Sequence, residues 1–170
     1  MANKTITINV SVNSIDKAIK ELEVYKTRIE QRLNQLIDRM CADGASYAIL
    51  NLTHIDTGAT QSSIMGYRSG NMGIIEVGGN AIWIEFGTGV LGNRGSDNVH
   101  QDRGLLGISE WGTYGKGQGS NPGGWFYYDE ADHGKLKHTF GIPMNPFMEQ
   151  AAHRLEREFR RKAKEVFAKQ

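Results

Sequence analysis

The chain is poor in cysteine, in net charge and in long apolar runs, and each shortage excludes a class of protein. Cys41 is the single cysteine in 170 residues, which excludes an internal disulfide and favours folding in a reducing cytoplasm. The formal net charge is +1, so no global field points to nucleic acid or to a membrane. No apolar run approaches the roughly 20 residues of a membrane-spanning helix. The 39% apolar content still suffices for a folded core, and the length fits a single domain spanning residues 1–170.

A long amphipathic helix is predicted near the start of the chain. Apolar side chains recur every three or four residues from Ile15, and this period continues to about Leu52. Such a helix would be about 55 Å long, which exceeds the width of roughly 30 Å expected for a compact domain of this size. Part of its apolar stripe must therefore bend round a sheet, with Gly44 as the bend point, or pack against another chain. Cys41 falls within the pattern as a small buried hydrophobe.

Strands are predicted around this helix, and a second helix ends the chain. Residues 5–12 alternate as a half-buried strand, after which Asn13 or Ser14 caps the long helix. Asn145 caps the last helix and Pro146 occupies its first position. The predicted fold is α+β, with a mostly antiparallel sheet packed against one long N-terminal helix and a C-terminal helix. The further predicted strands are 63–68 and 72–77, joined by a hairpin at 69–71, and 124–128 and 137–140, joined across the polar turn 129–135.

A glycine-rich arm occupies about residues 88–124. Residues 87–124 hold 12 of the 21 glycines, and a loop of this length without secondary structure is unusual in a compact domain. Leu105, Leu106, Ile108 and Trp111 form an apolar island within it. The island is either a small core beneath the loop or a contact with a partner.

The run Ala81–Gly89 places one carboxylate among apolar neighbours. It predicts either a short helix or a strand, and its glycines permit a sharp turn or a close approach to another chain. Burying a lone carboxylate is costly, so Glu85 is expected to cap backbone N–H groups or to pair with a basic residue. The alternative is an ordinary exposed carboxylate on a short helix. Trp83, Glu85, Phe86 and Gly87 are predicted to form the hinge of the sheet, and Phe147 is predicted either to anchor the last helix in the core or to contact another subunit.

Two further patterns bear on chemistry. Asp129, Asp132, His133 and His138 are close enough in sequence to hold a divalent metal in a hydrolase or nuclease, but they also fit a solvated turn. In the last helix, residues 154–169 carry seven basic side chains, with Arg160, Arg161 and Lys162 adjacent. These could contact phosphates without sequence specificity, or form a solvated face with ion pairs such as Glu156–Arg160 and Glu158–Lys162.

Several separated motifs resemble those of the head–tail connector family of long-tailed bacteriophages, which includes neck and tail-completion proteins. The similar segments are Asp56-Thr57-Gly58, the run from Ile82 to Thr88, Gly124–Tyr128, and Thr139 to Met148. The resemblance covers the chain from about residue 14 to the end, and residues 91–123 depart from it by their length.

The resemblance implies a structural virion protein without enzymatic activity, metal or other cofactor. Such a subunit joins a ring in the neck between head and tail, with six-fold symmetry preferred over twelve-fold. The implied partners are copies of the chain itself, adjacent head-completion and tail-terminator or tail-tube proteins, and DNA in the lumen through nonspecific contact, but no membrane. The arm is expected to reach a neighbouring subunit or the adjacent ring. Interface candidates are Trp83, Glu85, Phe86, Gly87, Thr88, Leu105, Leu106, Trp111 and Phe147.

Overall fold

The computed structural model describes residues 11–53, 58–89 and 123–168. Two long helices pack against each other beside two small antiparallel hairpins, which confirms the predicted α+β class. A 3-10 turn at Glu130–Asp132 closes the second hairpin. In chain order the elements are α1 (Val12–Asn51), α2 (Ala59–Ser62), β1 (Met65–Ser69), β2 (Met72–Glu76), α3 (Ala81–Phe86), β3 (Trp125–Asp129), β4 (Lys135–Thr139) and α4 (Phe147–Ala168).

Helix α1 begins earlier than its apolar period indicates. Ser11 has extended backbone angles, and its hydroxyl oxygen accepts a hydrogen bond from the Ser14 N–H at 3.3 Å, so Ser11 is the N-cap. The prediction that Asn13 or Ser14 caps the helix was therefore wrong. Val12, predicted to end a strand, is the first helical residue. The remainder of that strand, residues 5–10, lies outside the described residues.

Helix α4 runs antiparallel to the second half of α1. At one end of the pair, the Arg32 guanidinium donates to the Phe167 carbonyl at 3.0 Å. At the other end, Phe147 is fully buried against the end of α1. Residues 12–31 of α1 therefore extend past α4 by about 30 Å. The core cluster consists of Ala48, Leu52, Ile64, Ala81, Ile84, Phe147 and Ala151.

The predicted single sheet was wrong, because the two hairpins form separate two-stranded sheets in the described part of the chain. Strand β1 pairs with β2 and lies across α1, where glycines permit close contact. A Cβ on Gly66 would lie 2.2 Å from the Cys41 carbonyl oxygen, and one on Gly73 would lie 2.7 Å from the Cys41 sulfur. Cys41 is buried at this contact. Strand β3 pairs with β4 close to the predicted segments, 124–128 and 137–140, but Asp129 and Lys135 belong to the strands and not to the turn.

Gly44 serves close packing at the centre of the molecule. A Cβ at this position would lie 2.2 Å from Cδ1 of Ile75 on β2 and 2.7 Å from Cδ1 of Leu155 on α4. Both elements can approach α1 here because a side chain is missing. None of the helices in the described ranges combines the length and hydropathy that crossing a membrane requires.

Candidate functional site

The run Ala81–Phe86 is a helix, which decides between the two structures that its sequence allowed. Gly87 ends it with a φ of 69°, a conformation that favours glycine. Phe86 is buried and Trp83 is half-buried. The predicted hinge of a sheet was wrong, since α3 belongs to neither hairpin and packs among the helices instead.

Glu85 caps the last helix from a distance of more than sixty positions in the sequence. It is 6% exposed. One carboxylate oxygen accepts a hydrogen bond from the Met148 N–H at 3.0 Å and the other from the Glu149 N–H at 3.0 Å. These are the second and third residues of α4, whose N–H groups have no partner within the helix. A negative charge is also favourable at this end of the helix dipole. The structure therefore confirms the expectation that Glu85 caps backbone N–H groups.

Asn145 has a different role from the one predicted. Its side-chain oxygen accepts hydrogen bonds from the N–H of Thr53 at 2.8 Å and from the Thr53 hydroxyl at 2.9 Å. Its amide donates to the Asn51 carbonyl at 3.1 Å. The prediction that Asn145 caps α4 was therefore wrong. Asn145 forms hydrogen bonds with the end of α1, and Glu85 caps the N-terminus of α4 instead.

Both ends of the glycine-rich arm are fixed to one short stretch that follows β4. Thr88 and Ile142 exchange backbone hydrogen bonds of 2.8 and 3.1 Å. A Cβ on Gly89 would lie 2.5 Å from the Phe140 carbonyl oxygen, and one on Gly124 would lie 2.3 Å from the Thr139 carbonyl oxygen. The described residues on either side of the arm, Gly89 and Gly124, therefore both lie beside residues 139–142. Leu105, Leu106, Ile108 and Trp111 lie outside the described residues.

The candidate metal ligands do not converge. Asp129 accepts a hydrogen bond from Lys137 at 2.6 Å, and Asp132 accepts one from Lys135 at 3.0 Å. His138 lies on the opposite face of the hairpin, where its ring is 2.8 Å from the Gly123 carbonyl oxygen and packs between two phenylalanines. Lysine partners lower the pKa of Asp132, first through Lys135. Across the ranges described, no group of three or more His, Cys, Asp or Glu side chains is arranged to hold a metal ion.

Three basic residues of α4, Arg154, Arg161 and Lys162, form ion pairs with acidic side chains of α4 or α1. Lys162 is 2% exposed although it is a lysine, and its ammonium group binds Asp43, Glu158 at 3.1 Å and the Tyr47 hydroxyl at 3.3 Å. Burial lowers the pKa of Lys162, but these hydrogen bonds offset that effect and the net pKa is raised. Arg161 pairs with Glu158 and Glu165. The predicted pair Glu158–Lys162 is therefore present.

The structural role of Lys162 was not predicted, although its position in the sequence indicated that its side chain would be buried. It falls on the apolar stripe of α4, four residues before the buried Val166. A lysine on a buried stripe needs a fixed counter-charge, and Glu158 stands one turn before it. Its second partner, Asp43, could not be inferred because it comes from another helix.

The Glu158 carboxylate should make stability sensitive to acid. Its pKa is lowered from 4.5 to about 2, first by the Tyr47 hydroxyl, which donates at 2.8 Å, and then by Lys162. A lowered folded-state pKa means that the stabilisation is complete above about pH 4.5 and is lost as the pH falls through about 2. We expect the melting temperature to fall across this window. In Tyr47→Phe the carboxylate titrates at higher pH, so the fall begins earlier.

Thermal melts at half-unit pH intervals would check this, with Tyr67→Phe as the matched control. Tyr67 is an exposed tyrosine that also donates to a glutamate, Glu76, at 3.1 Å. If Tyr47→Phe and Tyr67→Phe lose stability over the same pH range, the Tyr47–Glu158 contact does not control the acid response.

The first half of α1 carries an exposed apolar stripe. The exposed fractions of its side chains lie between 39% and 74%, whereas the second half of the helix packs against α4 and the first hairpin. A second exposed apolar face lies on the β3–β4 hairpin, where Phe126, Tyr128 and Leu136 share one side. The members of the α1 stripe are Val12, Ile15, Ile19, Leu22, Ile29 and Leu33.

Comparison with known proteins gives no relative: no family model, no curated protein and no solved structure matches this chain.

Proposed function

We propose that this chain is a structural virion protein of a long-tailed bacteriophage, which forms a ring in the neck that joins the head to the tail. It acts there as a neck or tail-completion protein and has no catalytic role. A six-fold ring, matching a tail tube, is preferred over a twelve-fold one. Its partners are copies of itself, adjacent head-completion and tail-terminator or tail-tube proteins, and DNA passing through the lumen. The motif resemblance supplies the phage context of this proposal.

The observation that carries the assembly role is the exposed stripe on α1. A helix of 40 residues is packed along only part of its length, and six apolar side chains on the remainder lie in contact with water. Contiguous exposed apolar surface on a folded protein marks a site of association. A subunit that works by contacting other subunits has a use for such a surface.

The anchoring of the arm supports the same role. Residues 90–122 are inserted between two points that are both held beside residues 139–142. The arm can therefore serve contacts outside the fold without being required for it. Its apolar island, Leu105, Leu106 and Trp111, then contacts a neighbouring subunit or the adjacent ring.

Removing the arm separates folding from assembly. We expect replacement of residues 90–122 by a four-residue Gly-Ser linker to leave the melting temperature within about 5 °C of the wild type, because loop length affects stability only weakly. The same deletion should abolish joining of heads to tails in the phage that encodes the chain. Electron microscopy of the particles and thermal melting of the purified variant measure the two effects.

A matched control replaces the arm by a Gly-Ser segment of equal length. It should fold like the wild type and also fail to join heads to tails, because the apolar island is lost. Normal virions from the deleted chain would refute the proposed role of the arm. Normal virions from a phage that lacks the whole chain would refute the neck function itself.

A further inference from the structure

The exposed apolar side chains of α1 follow a seven-residue repeat. Taking Val12 as position a, the a positions are Val12, Ile19, Lys26 and Leu33, and the d positions are Ile15, Leu22 and Ile29. Six of these seven side chains are apolar and at least 39% exposed. An a and d repeat sustained over three heptads is the pattern of a coiled-coil seam, in which another helix completes the packing.

The size of the stripe suits a helical partner. Six half-exposed aliphatic side chains offer on the order of 500 Å² per copy, so that two copies would bury about 1,000 Å² in total, the lower bound for a specific interface. Residues 12–31 extend past the end of α4, so a second helix could lie along them without displacing the contact between Arg32 and Phe167.

The charges beside the stripe identify the partner and its direction. The e positions are Asp16, Glu23 and Glu30, which are all acidic, and the g positions include Ala18 and Tyr25. In an antiparallel pair of copies e faces e, which brings Glu23 against Glu23 and Asp16 against Glu30. In a parallel pair g faces e of the next heptad, which brings the Tyr25 hydroxyl against Glu30; Ala18, which corresponds to Glu23, carries no charge and is already buried within its own chain. The parallel pair avoids the repulsion.

We propose that residues 12–33 of α1 pair with the same segment of a second copy of this chain, in parallel and in register. Lys26 is the single polar residue in the seam. It lies 3.8 Å from Glu30 on its own helix, and a lone lysine at an a position fixes register at a cost in stability. Two parallel helices in register are related by a two-fold axis that runs along them, so the pair is a closed, symmetric contact between two copies. The inference rests on the assembly part of the proposed function and does not depend on a position in the neck.

The first test replaces Leu22 by glutamate, with Val24→Glu as the matched control. Both side chains are exposed, 52% and 59%, but Val24 is at position f, on the side away from the seam. We expect the wild type and Val24→Glu to sediment as the same multimer at micromolar concentration, and Leu22→Glu to dissociate at least tenfold more readily. Circular dichroism should show equal helix content in all three, because Leu22 has no core role.

The second test removes the polar interruption. Lys26→Leu should tighten self-association at least tenfold and can change the number of copies, because a lysine in the seam is replaced by an apolar side chain. An unchanged dissociation constant would place Lys26 outside the seam and overturn the proposed register.

The third test measures direction. Ile15→Cys should form a disulfide between copies on mild oxidation, because equivalent d positions face each other only in a parallel, in-register pair. The wild type, whose Cys41 is buried, is the control. Cross-linking that requires both Ile15→Cys and Leu33→Cys in one chain would show an antiparallel pair and overturn the proposal.

These outcomes separate the seam from the neck function. If Leu22→Glu assembles as the wild type does, or if the wild type is a monomer, the coiled-coil pairing is wrong, and the neck role is judged by the virion experiment alone. If the pairing is found but the phage joins heads to tails without the chain, the pairing holds and the neck function fails.

Discussion

Replacing Phe147 by alanine should lower the free energy of unfolding by about 4 kcal/mol, within the range measured for fully buried aromatic residues. Phe147 is 0% exposed and packs in the core cluster where the end of α1, the helix α3 and the start of α4 meet. Its loss removes apolar contact area and leaves a cavity between three elements. Urea unfolding followed by circular dichroism measures the change.

Phe159→Ala is the matched control, because this phenylalanine lies on the same helix and is 49% exposed. It should cost less than about 1 kcal/mol. Equal losses from the two variants would show that the cluster at Phe147 is not the core of the fold. A Phe147→Ala variant of normal stability would assign the residue to a subunit contact, the alternative that its sequence position allowed.

The second large effect is expected at Glu85. Glu85→Ala leaves the part-buried N–H groups of Met148 and Glu149 without their carboxylate acceptors, each at a cost of about 1–2 kcal/mol, so that about 3 kcal/mol of stability is lost. Glu85→Gln keeps one acceptor oxygen and should lose about half as much. The expected order of stability is wild type, then Glu85→Gln, then Glu85→Ala, by the same urea measurement.

Glu156→Ala controls for the loss of a glutamate charge, because its side chain is 77% exposed on α4. It should change stability by less than about 0.5 kcal/mol. If Glu85→Ala behaves like Glu156→Ala, the carboxylate does not hold the two parts of the fold together. If Glu85→Gln is as stable as the wild type, the charge at the helix N-terminus contributes nothing.

Local patterns in the sequence predicted much of the fold. The period of α1 and α4 was visible because each helix buries one face, and the two hairpins were visible because strands and turns have distinct residue preferences. Alternation within a hairpin does not determine which hairpins join into one sheet, so the predicted single sheet was wrong. The start of α1 was misplaced because Val12 fits both the end of an alternating strand and the first turn of a helix.

Contacts between distant segments could not be predicted. Asn145 has the sequence position of a helix cap, but its side chain bonds to Thr53, and the cap comes from Glu85 on α3. Local rules name the groups that need partners and do not say which distant segment supplies them. The need of Glu85 for a partner was predictable for this reason, whereas the identity of the partner was not.

The exposed apolar surface of α1 was also predictable from the sequence. The length of the predicted helix indicated that a domain of this size could not cover it. The structure shows six exposed apolar side chains between Val12 and Leu33, although Ala18 in the same stretch is buried. An exposed apolar stripe on a long helix and a long inserted segment are features expected of a subunit whose contacts lie with other chains. The proposed neck ring places both features in one assembly.

The solution mass of the intact chain tests this account most directly. Sedimentation velocity over concentrations from about 1 to 100 µM should give a defined multiple of the 18.9 kDa subunit mass, which decreases toward one subunit for Leu22→Glu. A species of 18.9 kDa at every concentration, unchanged by Leu22→Glu, would contradict the claim that the exposed stripe of α1 joins copies of the chain.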